Sequence, residues 1–126
     1  DVKLNTAGDW WPYLHATSAA IARVEQHAPL HGRIVVECQT TDFLQAMREQ
    51  ETGMATFLYV GGMEGAVHTA QQFGCQGITV ELGRINEEEA EVIRKAGLQL
   101  TLFGIDGAWD LRRAVALHPD RLQVDR

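Results

Sequence analysis

The sequence predicts an α/β fold, a parallel sheet with alternating helices, built as a single domain over residues 1–126. Three observations predict it. Short apolar runs of strand length recur along the chain, and each is followed by a longer stretch with apolar residues near helical spacing. The run Ile34-Val35-Val36 is continuous rather than alternating, the pattern of a strand covered on both faces. The segment "INEEEAEVIRKAG" carries a full set of helix signals. Asn86 is a natural N-cap, acids crowd the first turn, Arg94 and Lys95 occupy the last, and Gly97 ends it.

Taken in order, "DVKLN" reads as a strand with Asp1 and Lys3 on one face, because strand side chains alternate. "TAGDWWPYLH" reads as a loop with a helix start, and "ATSAAIARVEQHA" as the helix. "GRIVVECQ" is the second strand, and "TTDFLQAMREQE" a helix capped by Thr41 or Asp42. "MATFLYV" is the third strand, followed by the helix "GMEGAVHTAQQFG", stopped at Gly74. "QGITVEL" is the fourth strand and precedes the Asn86 helix. "LQLTLFGI" is the fifth, "GAWDLRRAVALHP" a helix, and "RLQVD" a short sixth strand. A chain of 126 residues can bury one core, and no linker divides it.

Six strands alternating with five helices imply parallel pairing through right-handed crossovers. Two architectures fit that order. An open doubly wound sheet of the flavodoxin-like type carries helices on both faces. Part of a (β/α)₈ barrel carries them only outside.

Charge narrows the partners. The formal charge is −6, with 11 Lys and Arg against 17 Asp and Glu, and the arginines are scattered. No basic patch is present, so nucleic acid is excluded as a partner. No apolar run has the length of a membrane span. The two cysteines, Cys38 and Cys75, fit buried free thiols rather than a disulfide framework or a metal site.

Candidate site residues follow from position. "VGGMEG" puts Gly61, Gly62 and Gly65 between a strand and a helix, where backbone amides can meet a phosphate, but the spacing matches no nucleotide fingerprint and a tight turn explains it. The five histidines form no metal-binding motif. Trp10 and Trp11 follow the first strand, as an aromatic lip over a pocket or as a loop folded onto the core. Glu37 and Glu81 stand near the ends of the second and fourth strands, and Asp106 just past the fifth. Acids at the carboxyl ends of parallel strands converge on the mouth of a barrel or sheet, where they can hold Mg²⁺ or Ca²⁺ through oxygen. Glu37 and Glu81 lie inside apolar strands, and a buried carboxylate needs a partner.

Several segments together resemble the glycerophosphodiester phosphodiesterase family. That family has a helix ending near A-x-x-A-G, a strand approximating v-x-v-W-T-V-N, a helix of the d-x-x-d-m-x-r type and a closing strand ending in T-D. Here Phe103-Gly104-Ile105-Asp106 stands for Trp-Thr-Val-Asn, "AWDLRRAVAL" for the helix, and Val124-Asp125 for Thr-Asp. "RIVVECQTTDFLQAMRE" resembles the family's v-v-v-s-S-F-d segment, with Glu37-Cys38-Gln39 in place of Ser-Ser-Phe. "DVKLN" resembles its I-E-I-K strand, with Asp1 and Lys3 at the Glu and Lys positions.

The resemblance implies a fold derived from the eight-stranded barrel, with this chain as its last six strands, the third to the eighth. It implies a parent activity, metal-dependent hydrolysis of a glycerophosphodiester to sn-glycerol 3-phosphate and an alcohol. Asp1 would be a metal ligand for Mg²⁺ or Ca²⁺, Lys3 a catalytic phosphate partner, and Phe103 a substrate-facing wall, joined by Trp10 and Trp11. Glu37 and Glu81 are secondary candidates. The family's His-Arg strand, its Glu-x-Asp strand and the following catalytic histidine have no counterpart here, so the chain as given is expected to be incomplete or inactive. A non-catalytic interaction module on the same fold and an unrelated flavodoxin-like domain are the alternatives. Six strands of a barrel leave two sheet edges, so association is expected, either as a homodimer or with the missing N-terminal segment.

Overall fold

The computed structural model describes residues 10–27 and 33–124. Helix α1 spans Trp10–His27, strand β1 Val35–Cys38, α2 Thr41–Glu49, β2 Ala55–Val60 and α3 Ala66–Gln72. Strand β3 (Gly77–Glu81) runs into a 3₁₀ turn over Leu82–Arg84, and α4 (Glu87–Lys95), β4 (Gln99–Ile105), α5 (Ala108–Ala116) and β5 (Arg121–Val124) complete the order. The expected first strand, with Asp1 and Lys3, lies outside the described residues.

All four strand pairs are parallel, and the sheet order is β1-β2-β3-β4-β5. Each strand lies beside its sequence neighbour, with no reversal. A doubly wound sheet needs such a reversal to place helices on both faces, so the flavodoxin-like alternative is ruled out by this order. Side-chain alternation gives the same result. The outward residues Val36, Leu58, Ile78, Val80, Leu100 and Leu102 share one apolar cluster with Leu44, Met47, Ala70, Ile93 and Ala114 of the helices. The helices therefore cover one face, the arrangement of a barrel wall. Each fully buried Leu, Ile or Phe in this layer contributes about 1.5–3 kcal/mol by leaving water.

The other face curls on itself. Gln123 of β5 donates from Nε2 to both carboxylate oxygens of Glu37 on β1, at 3.0 and 3.1 Å. In a flat sheet four strand spacings would separate these backbones by roughly 19 Å, beyond the reach of the two side chains. Eight tilted strands at the same spacing close into a ring of roughly 15 Å diameter, which a Gln and a Glu can span. Arg121 of β5 likewise lies over the Phe57 ring of β2, 4.7 Å from its centroid. Phe57 is fully buried although it points away from the helices, and its ring fills the space that a side chain at Gly77 would need.

The amino ends of the strands are clamped by side chains. Gln76 Oε1 accepts from the Thr56 amide at 2.7 Å, and Asp120 Oδ2 from the Leu100 amide at 2.8 Å. These bonds fix the β2–β3 and β4–β5 registers. Both cysteines are buried thiols outside any disulfide. Burial pushes the Cys75 thiol above its ordinary value of 9.0, against the opposing hydrogen bond to Thr56 and the charge of Arg48.

Two local expectations are corrected. Trp10 and Trp11 are in the first turn of α1, not in a loop. Tyr13 and Leu14 continue the same helix, and the fully buried Leu14 anchors it to the core. The N-cap of α2 is Thr40, ahead of the expected Thr41 or Asp42, and no side chain bonds there. The Asn86 signals, by contrast, form as read: its side chain accepts from the Glu89 amide, and Glu89 accepts from the Asn86 amide, each at 2.9 Å.

Gly97 follows α4 with φ +73°. Gly97→Val is expected to cost about 1–2 kcal/mol from left-handed strain, read as a lowered melting midpoint. Glu37→Ala is expected to cost about 1–3 kcal/mol, because the Thr79 and Gln123 donors lose their buried acceptor. A chemical-denaturation midpoint equal to wild type would show that the cross-sheet bridge adds no stability.

Candidate binding mouth

The carboxyl ends of the strands form one mouth, and the inward side chains stack beneath it in layers. Alternate strands supply each layer, as in a barrel interior. Glu37 of β1, Thr79 of β3 and Gln123 of β5 make one: Thr79 Oγ1 donates to Glu37 Oε2 at 2.8 Å, beside the Gln123 bonds. Glu37 is only 6% exposed. A hydroxyl and an amide thus donate to the buried carboxylate in place of water.

Tyr59 of β2 and Phe103 of β4 make another pair, with ring centroids 5.2 Å apart and planes inclined by 24°. Both rings are half-buried. Glu81 is the last residue of β3 and registers with Phe103. Val80 points to the helices and Thr79 inward, so Glu81 also faces the mouth.

Gly104 explains how Glu81 lies there. The β4–β5 register shifts between Leu102 and Ile105, and Gly104 has φ +73° at this bulge. A Cβ at Gly104 would come within 3.2 Å of Glu81 Cγ. The glycine thus meets two demands, a left-handed backbone and room for the neighbouring acid. Arg84 sits on the turn after β3, its Nε 3.7 Å from Glu81 Oε2. The Glu81 side chain is 50% exposed and that of Arg84 66%.

The sequence-predicted residues divide accordingly. Phe103 and Glu81 come together at the mouth, while Glu37 is one layer deeper. Asp106 follows β4 and is exposed. Trp10 is on α1, where its indole Nε1 donates to Asp42 Oδ2 at 3.3 Å. Trp11 packs its ring 5.9 Å from that of His15 and remains 45% exposed. Asp1 and Lys3 lie outside the described residues. Tyr59 and Arg84 were missed: Tyr59 looks like any residue of an apolar strand, and Arg84 is a single cation in a loop. Gly61 and Gly62 lie in a turn, and Gly65 is the left-handed N-cap of α3.

Among the described residues, no group of three or more His, Cys, Asp and Glu is placed to hold a metal ion. His15, His27, His68 and His118 all lie in helices or at a helix end, away from the inward strand faces. No described helix is long and apolar enough to cross a membrane.

No protein-family model and no curated protein matches the sequence. Solved structures match the fold. A protein named as a glycerophosphoryl diester phosphodiesterase from Silicibacter pomeroyi superposes with TM-score 0.85 over 95% of this chain, at 17% identity. An Oleispira antarctica phosphodiesterase in complex with its product sn-glycerol 3-phosphate gives 0.78 over 86%, at 16% identity. A glycerophosphodiester phosphodiesterase from Parabacteroides distasonis gives 0.75 over 93%, at 8% identity. The chain spans about half the length of the structures it matches: 43%, 45% and 49% of these three. Five parallel strands in sequential order, curled inward with helices outside, thus give this chain the fold of a partial glycerophosphodiester phosphodiesterase barrel.

Proposed function

We propose that this chain forms the substrate-facing wall of a glycerophosphodiester phosphodiesterase-type barrel, and that alone it binds a glycerophosphate group without hydrolysing the diester. The observation that supports this reading most is the shared curled sheet, which a phosphodiesterase from Oleispira antarctica has in a complex with sn-glycerol 3-phosphate. Phe103 and Tyr59 supply an apolar wall at the mouth for the carbon atoms of the ligand. In the parent reaction, water replaces the alcohol at phosphorus, releasing sn-glycerol 3-phosphate and that alcohol. Proton transfer there needs groups within hydrogen-bond reach of the attacking and leaving oxygens, and each described histidine belongs to the helical layer. Lys3 as phosphate partner and Asp1 as ligand to Mg²⁺ or Ca²⁺ belong to the same proposal and rest on the I-E-I-K resemblance alone.

The chain also associates, in this reading, with a second copy. Support comes from apolar surface on the β5 side: Trp109 is 76% exposed, and Leu111, Val115 and Val124 are exposed as well. Where such groups adjoin in one patch they mark a contact surface, and isologous pairing covers the same surface on both copies.

The purified chain is expected to release no choline from glycerophosphocholine with Mg²⁺ or Ca²⁺ present, and to bind sn-glycerol 3-phosphate in calorimetric titration. Turnover abolished by Lys3→Ala would overturn the non-catalytic part. Sedimentation at micromolar concentration is expected to give twice the 14.0 kDa chain mass. A monomer that binds no hydrophobic dye would overturn the association.

A further inference from the structure

We infer that Arg84, held by Glu81 at the mouth, is an anion site for the phosphate oxygens of the ligand. The inference rests on the glycerophosphate reading above and assigns the phosphate end to a residue outside every motif of the sequence. Three features place the guanidinium there. Glu81 faces the inside of the curled sheet by strand alternation, directly beside Phe103 in register. Gly104 leaves that carboxylate room to lie against β4, since any larger residue would press on its Cγ. Arg84 then sets its Nε 3.7 Å from Glu81 Oε2, three residues along the turn.

This pairing engages the inner nitrogen of the guanidinium. Among the described residues Arg84 has no hydrogen bond and no ion pair with any residue but Glu81, and its two terminal nitrogens are the donors left to a ligand. They form the outer fork of a rigid planar donor, the geometry that meets two phosphate oxygens at once. Glu81 cannot neutralise the site completely, because the pair is half in water and its attraction is weak there. Its effect is positional: it limits the rotamers of a long side chain that would otherwise sweep the solvent. Phe103, in register with Glu81, stacks on Tyr59 and offers apolar surface to the carbon chain of a phosphate ester. Recognition is thus split between a cation for phosphate and two rings for the alcohol carbons.

The test is an NMR titration of the chain that follows the arginine Nε–H signals. Inorganic phosphate, sn-glycerol 3-phosphate and glycerol are added separately. Arg84 is assigned by the signal lost in Arg84→Gln. Both phosphates are expected to shift the Arg84 signal saturably, and glycerol to leave it unchanged. Arg84→Gln is expected to weaken sn-glycerol 3-phosphate by about tenfold, the scale of a lost charge-assisted bidentate contact. Arg84→Lys should restore part of it, and Glu81→Gln should weaken binding less than Arg84→Gln while the circular dichroism spectrum stays the same. Wild-type affinity for sn-glycerol 3-phosphate in Arg84→Gln would overturn the anion site and leave the glycerophosphate reading standing. Equal affinity for the two phosphates, both lost in Arg84→Gln, would support the anion site and overturn the ester-specific reading. No response of Arg84 to either phosphate would overturn the anion site.

Discussion

A carboxylate at position 37 accepts from two other strands at once, Thr79 on β3 and Gln123 on β5. The rest of the architecture depends on this bridge. Hydrogen bonds between adjacent strands fix the sheet locally but leave its curvature open. Helices on the outside bring apolar area and favour a wall, but they pack against flat and curled sheets alike. Only contacts across the inner face require strands four places apart to approach. Glu37 makes such a contact, with the Thr79 hydroxyl and the Gln123 amide as donors to the buried acid. Arg121 over Phe57 adds a second tie between β5 and β2.

The curvature in turn sets the mouth. On a flat sheet Tyr59 and Phe103, on strands two places apart, would stand side by side and both face solvent. Curling inclines them toward each other until the rings meet at 5.2 Å. The bulge at Gly104 then alters the last residues of β4, next to the point where Glu81 ends β3. Bulges occur at barrel rims because they aim side chains that regular pleating would send elsewhere. One glycine with φ +73° and one aromatic stack therefore account for most of the geometry at the opening.

The alternation of strands and helices was legible because both periods are written in single residues. Val36, Leu58, Ile78 and Leu102 announce buried faces, and Asn86 with Glu89 announces a helix start. The barrel-like topology was less legible. Strand order is a property of pairing, and a repeated strand–helix pattern fits either winding; the sequential order appears only in the sheet itself. Glu37 was legible as a buried acid in need of a partner, but Thr79 and Gln123 were not. Their spacings of 42 and 86 residues carry no local signal. The position of Trp10 and Trp11 after the first strand points to a loop with a helix start, while the helix already begins at Trp10. Pro12 in fact occupies the first turn of α1, where its missing N–H costs no helical bond.

The distance in sequence between Glu37 and Gln123 has a consequence for how the chain comes to be folded. At roughly 5–20 residues per second, translation delivers position 123 some 4–17 seconds after position 37. Strand–helix units form far faster than that, so β1 to β4 can pair in order as they emerge. Until β5 arrives, however, Glu37 lacks the two bonds from Gln123 that draw β1 toward β5. Closure of the curl across the inner face therefore belongs to the final stage of assembly. A chain stalled before its last strand would have the correct neighbours and the wrong curvature.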